Sequence, residues 1–189
     1  MADNDRRPAF FRRITIRNPD GTQGPFTPAS IFSSNQIAPV ISPILGEHVV
    51  DCDAAPFCPK YLFRTSKGTE HRKGGQLVLT PGKIRLFLAE GQKNSGWLTG
   101  HDLRKELADK PVLNANVLDY LLAHQELIPE EWKGKVAVLF WGTIYRDAIG
   151  SLYVRYADWR GDRWVSSCDW LGSVFHGCNP AAVLASPEL

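Results

Sequence analysis

No stretch of this chain approaches the roughly 20 consecutive apolar residues that a membrane-spanning helix needs. Its opening, MADNDRRPAFFRRITIRN, lacks the long apolar core of a secretory leader. No CxxC pair occurs, since five residues separate Cys52 from Cys58 and nine separate Cys168 from Cys178. Structural zinc sites favour tighter pairs, so a zinc reading that recruits His48 or His176 is weak. The formal net charge of +2 supplies no overall field that would draw the chain to nucleic acid or a membrane. None of GxSxG, HExxH, a Walker loop or GxGxxG is present. Together these absences predict a cytoplasmic protein, or a mobile element's product acting in a cytoplasm. They also predict reduced thiols, no metal, no cofactor and no membrane partner.

What is present is an ordinary globular composition. Hydrophobic residues make up 43% of the 189 and charged residues 22%, enough to bury a core without covalent staples. Charge is uneven along the chain. Residues 60–85 carry seven basic side chains against Glu70 alone, and residues 99–132 carry seven acidic against three basic. This asymmetry marks either an interaction surface or two complementary parts of one fold.

Local patterns predict an α+β chain: a β and loop-rich region over 1–80, then a helical middle and a C-terminal three-stranded antiparallel meander within 81–189. The two regions are separate or one compact unit. FFRRITIR (10–17), KYLFRT (60–65) and QLVLT (76–80) read as strands, with a basic glycine-containing loop between the last two (Lys67, Arg72, Lys73). Residues 24–46 hold four prolines, which disfavour helix. Ile84, Phe87 and Leu88 follow Pro81 at helical spacing and predict a helix over 82–92. Thr99 with Asp102 starts a second helix that Pro111 ends. Asn114 or Asn116 caps a third over 114–128, with Val117, Leu118, Leu121 and Leu122 as its apolar stripe.

From Val136 the period changes to two. Val138, Phe140 and Ile144 fall on one expected face and Leu139, Trp141, Thr143 and Tyr145 on the other, with turns at 147–150 and 160–162. This region gathers four of the six tryptophans, three of the five tyrosines and four arginines. Alternation places Tyr153 and Arg155 opposite Leu152, Val154 and Tyr156. The candidate binding residues are Tyr145, Arg146, Tyr153, Arg155, Trp159, Arg160 and Arg163, with the basic loop Lys67, Arg72 and Lys73 as a second patch. The words LNANVLDYLLAHQELIPEEWKG (113–134), FWGTIYRDAIGSLYVRY (140–156), the W-x5-WLG ending at Trp164–Gly172 and PAAVLAS (180–186) resemble a family of small uncharacterised bacterial proteins. The resemblance spans 83–186 and implies two helices followed by a short meander, with no activity attached.

Three functions compete. Tryptophan, tyrosine and arginine dominate protein interfaces, so a non-catalytic protein-interaction module, or an accessory or inhibitor protein, is the leading expectation, with a protein as its partner. An aromatic and arginine sheet face also suits single-stranded nucleic acid. A third helix without lysine or arginine fits duplex DNA poorly. His48, Asp51, Cys52, Asp53 and Cys58 supply the residue types for a cysteine nucleophile with a base, and this is the enzyme alternative. No catalytic residue is assigned.

Overall fold

A computed structural model describes residues 48–59 and 68–185. The expected strands at 10–17 and 60–65, the proline-rich segment and Lys67 lie outside the described residues. Among those described, the strands are β1 (His48–Asp51), β2 (Glu70–His71), β3 (Gln76–Leu79), β4 (Ile84–Phe87), β5 (Trp97–Thr99), β6 (Val138–Arg146), β7 (Leu152–Arg160), β8 (Arg163–Trp170), β9 (Val174–His176) and β10 (Ala181–Leu184). The helices are α1 (Gly100–Glu106) and α2 (Ala115–Ala123). The expected helical middle and free-standing three-stranded meander are therefore overturned: the fold is mostly sheet.

The strands form two ribbons, β1–β3 and β5–β9, and one six-stranded sheet. The sheet runs β4-β10-β6-β7-β8, with β2 beside the later part of β6. The strands of the expected meander, β6, β7 and β8, are thus half of a larger mixed sheet, in which β10 lies antiparallel to β4 and parallel to β6. The helix expected over 82–92 is instead a glycine turn at Gly82, the strand β4 and a single 3-10 turn at Glu90–Gln92. Four apolar residues at mixed spacing obey whichever partner they meet, and here Ala181–Leu184 supplies a ladder.

Both helices start where their caps predict. The Thr99 hydroxyl accepts the Asp102 amide at 3.2 Å, and the Asn114 side chain accepts the Asn116 amide at 3.2 Å. Both end early. After Ala123 the chain passes into 3-10 turns at Gln125–Leu127 and Glu130–Trp132.

The course of β6 decides how the core divides. Leu139 faces Tyr156 and Ile144 faces Val154, so β6 advances five residues while β7 advances two. This bulge reverses the alternation. Val138 and Phe140 pack with Leu118, Leu121 and Trp164. Leu139, Trp141 and Ile144 pack with Leu103, Leu107 and Phe175. Tyr145 returns to the α2 side against Ala115. The expected faces are corrected accordingly: Ile144 joins Leu139 and Trp141, and Trp141 does not share a face with Tyr145.

Candidate functional site

Arg155 sits at the centre of the residues that the sequence nominates, yet it is only 3% exposed. Its Nη1 and Nη2 donate to the two Asp119 carboxylate oxygens at 3.0 and 2.6 Å. Nε and Nη2 also reach the Ser166 hydroxyl at 3.3 and 3.1 Å. The Phe57 ring covers the guanidinium at 5.3 Å. Burial works against the charge, but the hydrogen bonds and attraction of Asp119 outweigh it and hold the guanidinium above its ordinary pKa. Fork geometry explains arginine here, because only a planar guanidinium meets one carboxylate twice.

Around Arg155 the same face turns inward. Tyr145 is fully buried and donates to the Phe57 carbonyl at 2.9 Å; burial pushes its phenol up to about 12. The Tyr153 hydroxyl donates to Asp147 at 3.2 Å. Cys58 and Cys168 flank this cluster. Burial raises both thiols, that of Cys168 to about 11, so neither is an activated nucleophile. Trp159 meets Trp164 edge-on at 5.7 Å and lies under Lys133. Arg160 pairs with Asp158 at 2.6 Å, Arg146 lies 3.7 Å from Glu70, and Arg163 is exposed opposite Arg160. The nominated set thus divides into an interior core of Arg155 and Tyr145 and a scattered outer rim.

Residues 48–58 do not converge. The Cys52 thiol is buried and raised by burial first, then by Asp53 and Asp51. The His48 Nδ1 lies 3.1 Å from the Tyr120 hydroxyl, and its ring meets that of His124. Asp51 accepts the amides of Asp53 and Ala54, and Asp53 accepts those of Gly74 and Gly75. Cys58 lies on the Arg155 side. No group of three or more His, Cys, Asp or Glu is placed to hold a metal among the described residues.

The described part of the basic loop is anchored. Arg72 donates to the carbonyls of Lys110 and Ala108 at the end of the α1 segment. Lys73 donates to the Asp53 carbonyl. His71 escaped the sequence reading, because its partners are remote in sequence. Its Nε2 lies 2.9 Å from the Cys52 carbonyl, which only accepts, and this fixes the Nε2–H tautomer. Its Nδ1 then accepts from the Thr143 hydroxyl at 2.8 Å, whose oxygen takes the Ala115 amide at 3.0 Å.

Two concavities stand beside these clusters. One, of about 430 Å³, is walled by Leu121, Ile128 and Trp132 and carries Glu126, Glu130 and Glu131. The other, of about 390 Å³, lies between α1, β2 and the bulge of β6. The indole N–H groups of Trp141 and Trp164 are buried with no acceptor among the described residues. No helix among the described residues is long and apolar enough to cross a membrane. Compared with known proteins, the chain matches no family, no curated protein and no solved structure.

Proposed function

We propose that this chain is a non-catalytic protein-binding module acting in a bacterial cytoplasm. The observation that carries this reading is the groove of Leu121, Ile128 and Trp132 with its three glutamates. An apolar recess ringed by one sign of charge suits an apolar anchor residue flanked by lysine or arginine on a partner protein. The apolar walls are fixed before binding: Leu121, Ile128 and Trp132 are each nearly buried, so little side-chain entropy is lost on docking. Glu126 and Glu130 are exposed and lightly engaged, by His124 at 3.4 Å and Lys133 at 2.6 Å.

The alternatives draw less support. A single-stranded nucleic-acid face needs free arginines, and Arg155 is committed to Asp119 and Ser166. A cysteine nucleophile needs a lowered thiol pKa, whereas Cys52, Cys58 and Cys168 are all raised. The test is capture from a bacterial lysate by the wild type and by the charge reversal Glu126→Lys, Glu130→Lys, Glu131→Lys, each with and without nuclease. A specific protein that survives nuclease and is lost on charge reversal supports the reading. Capture that vanishes with nuclease transfers it to nucleic acid, and capture indifferent to charge reversal overturns the groove.

A further inference from the structure

We propose that the outer edge of β8 pairs with the β8 of a second copy of this chain, joining two sheets into one across a twofold axis at Ser166. β8 is the last strand of the six-stranded sheet, and among the described residues only β7 lies beside it. None of its residues lines the groove at Leu121 and Trp132. The strand is eight residues long, RWVSSCDW. Its register with β7 is unbroken from Arg163 to Trp170. Exposed edges are normally blunted by proline, lysine or a bulge, and this one carries none of the three.

Alternation decides which backbone groups are available. The Leu171 amide donates to the Leu152 carbonyl at 2.8 Å, so odd-numbered residues here aim their backbone groups at β7. The Trp164 amide points the other way and donates to the Gln125 side chain at 3.2 Å. Ser166 and Cys168 therefore turn their N–H and C=O groups outward too, where no strand among the described residues meets them. Hydrogen-bonded pairs with a second copy can form only between even-numbered residues. That restricts an antiparallel self-pairing to a few registers.

Charge selects among them. Arg163 is exposed and sits opposite Arg160, a like charge that pairs instead with Asp158. Neither Arg163 nor Asp169 belongs to an ion pair among the described residues. The two lie on one face of the strand, about 20 Å apart along it, and cannot reach each other within the chain. Each stands three residues from Ser166. With the axis at Ser166, Arg163 of each copy faces Asp169 of the other, and an opposite-charge pair closes each end of the ladder. Val165 then meets Ser167, and Trp164 meets Cys168. Gln125 is exposed and gives up the Trp164 amide to the Cys168 carbonyl of the second copy. Moving the axis by one residue either way loses both ion pairs.

The test is sedimentation equilibrium of the full chain over a concentration series reaching millimolar, where even a weak self-contact is populated. A monomer–dimer equilibrium is expected. Arg163→Asp and Asp169→Arg each set like charges opposite one another at both ends, and each weakens the dimer by about tenfold or more. The double variant recreates both pairs in the opposite sense and restores it. Circular dichroism should show all three variants folded, since Arg163→Asp places an anion opposite Arg160. The register is read by mixing Val165→Cys chains with Ser167→Cys chains under glutathione disulfide. These positions form a non-hydrogen-bonded pair, with Cα atoms about 4.5 Å apart and within reach of a disulfide. A bridge between the two new thiols is expected in the mixture, mapped by mass spectrometry. A chain that stays monomeric throughout the series overturns the proposal. So does a dimer that the single charge variants leave unchanged, that the double variant fails to restore, or that yields no such bridge.

Discussion

A guanidinium that is 3% exposed needs a counter-ion, and Asp119 is the one that meets Arg155 at both nitrogens. Removing that carboxylate strands a buried charge, which is more damaging than removing the pair together. Asp119→Ala is expected to lower unfolding stability by about 3 kcal/mol, the lower end for a buried pair, since Asp119 itself is partly exposed. Asp119→Asn keeps an acceptor and loses less. The midpoint of urea unfolding checks both. The residue types in this cluster were legible in the sequence, and the alternation that sets Arg155 opposite Val154 was legible too. That both sides turn inward was not: Val154 and Arg155 are both buried. Arginine normally marks solvent, and nothing near residue 155 announces that the matching carboxylate lies 36 residues earlier, in an acidic stretch that read equally as an interaction surface or as a complementary part of the fold.

The bulge in β6 is the element on which both faces of the core depend. Gly142 lies inside it, donating its amide to the Leu113 carbonyl at 2.8 Å and accepting the Arg72 amide at 2.7 Å. A Cβ at this position would lie 2.8 Å from the Asn114 nitrogen and the Leu113 carbonyl carbon. These are backbone atoms, which cannot swing aside as a side chain would. Gly142→Ala is therefore expected to cost about 1–3 kcal/mol by overpacking, read as a fall in the thermal midpoint. Gly150→Ala, with open space around its Cβ position, serves as the comparison for backbone strain alone, since its φ of 94° is unfavourable to alanine. The turns at 147–150 and 160–162 and the caps Thr99 and Asn114 could be read locally because their chemistry is local. The bulge could not, since a strict two-residue period continues through 138–145 on paper. The strand identity of Ile84–Phe87 was hidden for a related reason: its partner, Ala181–Leu184, lies about 100 residues later.

For the molecule as a whole, buried phenol couples stability to alkaline pH. Tyr145 titrates near 12 in the folded state, against an ordinary value of 10.0. Its raised pKa means that the folded state keeps the proton longer than the unfolded chain does. The stabilisation is complete below pH 10 and is lost as pH rises from 10 to 12, on the order of 2–3 kcal/mol in all. Urea midpoints should fall across that window, and Tyr145→Phe should flatten the fall while losing its bond to the Phe57 carbonyl. The described chain is also knitted out of order. β10 fills the gap between β4 and β6, takes the Leu113 amide at the Ala182 carbonyl and gives its Leu184 amide to the Pro111 carbonyl, while Pro180 just before it takes the Leu139 amide. A ribosome delivers β4, β6, β7 and β8 before it delivers β10. Until then the sheet lacks its strand between β4 and β6, and β2 covers the β6 edge only at Thr143 and Ile144. That order leaves the sheet open to pairing with stray strands from neighbouring chains until its last strand is placed.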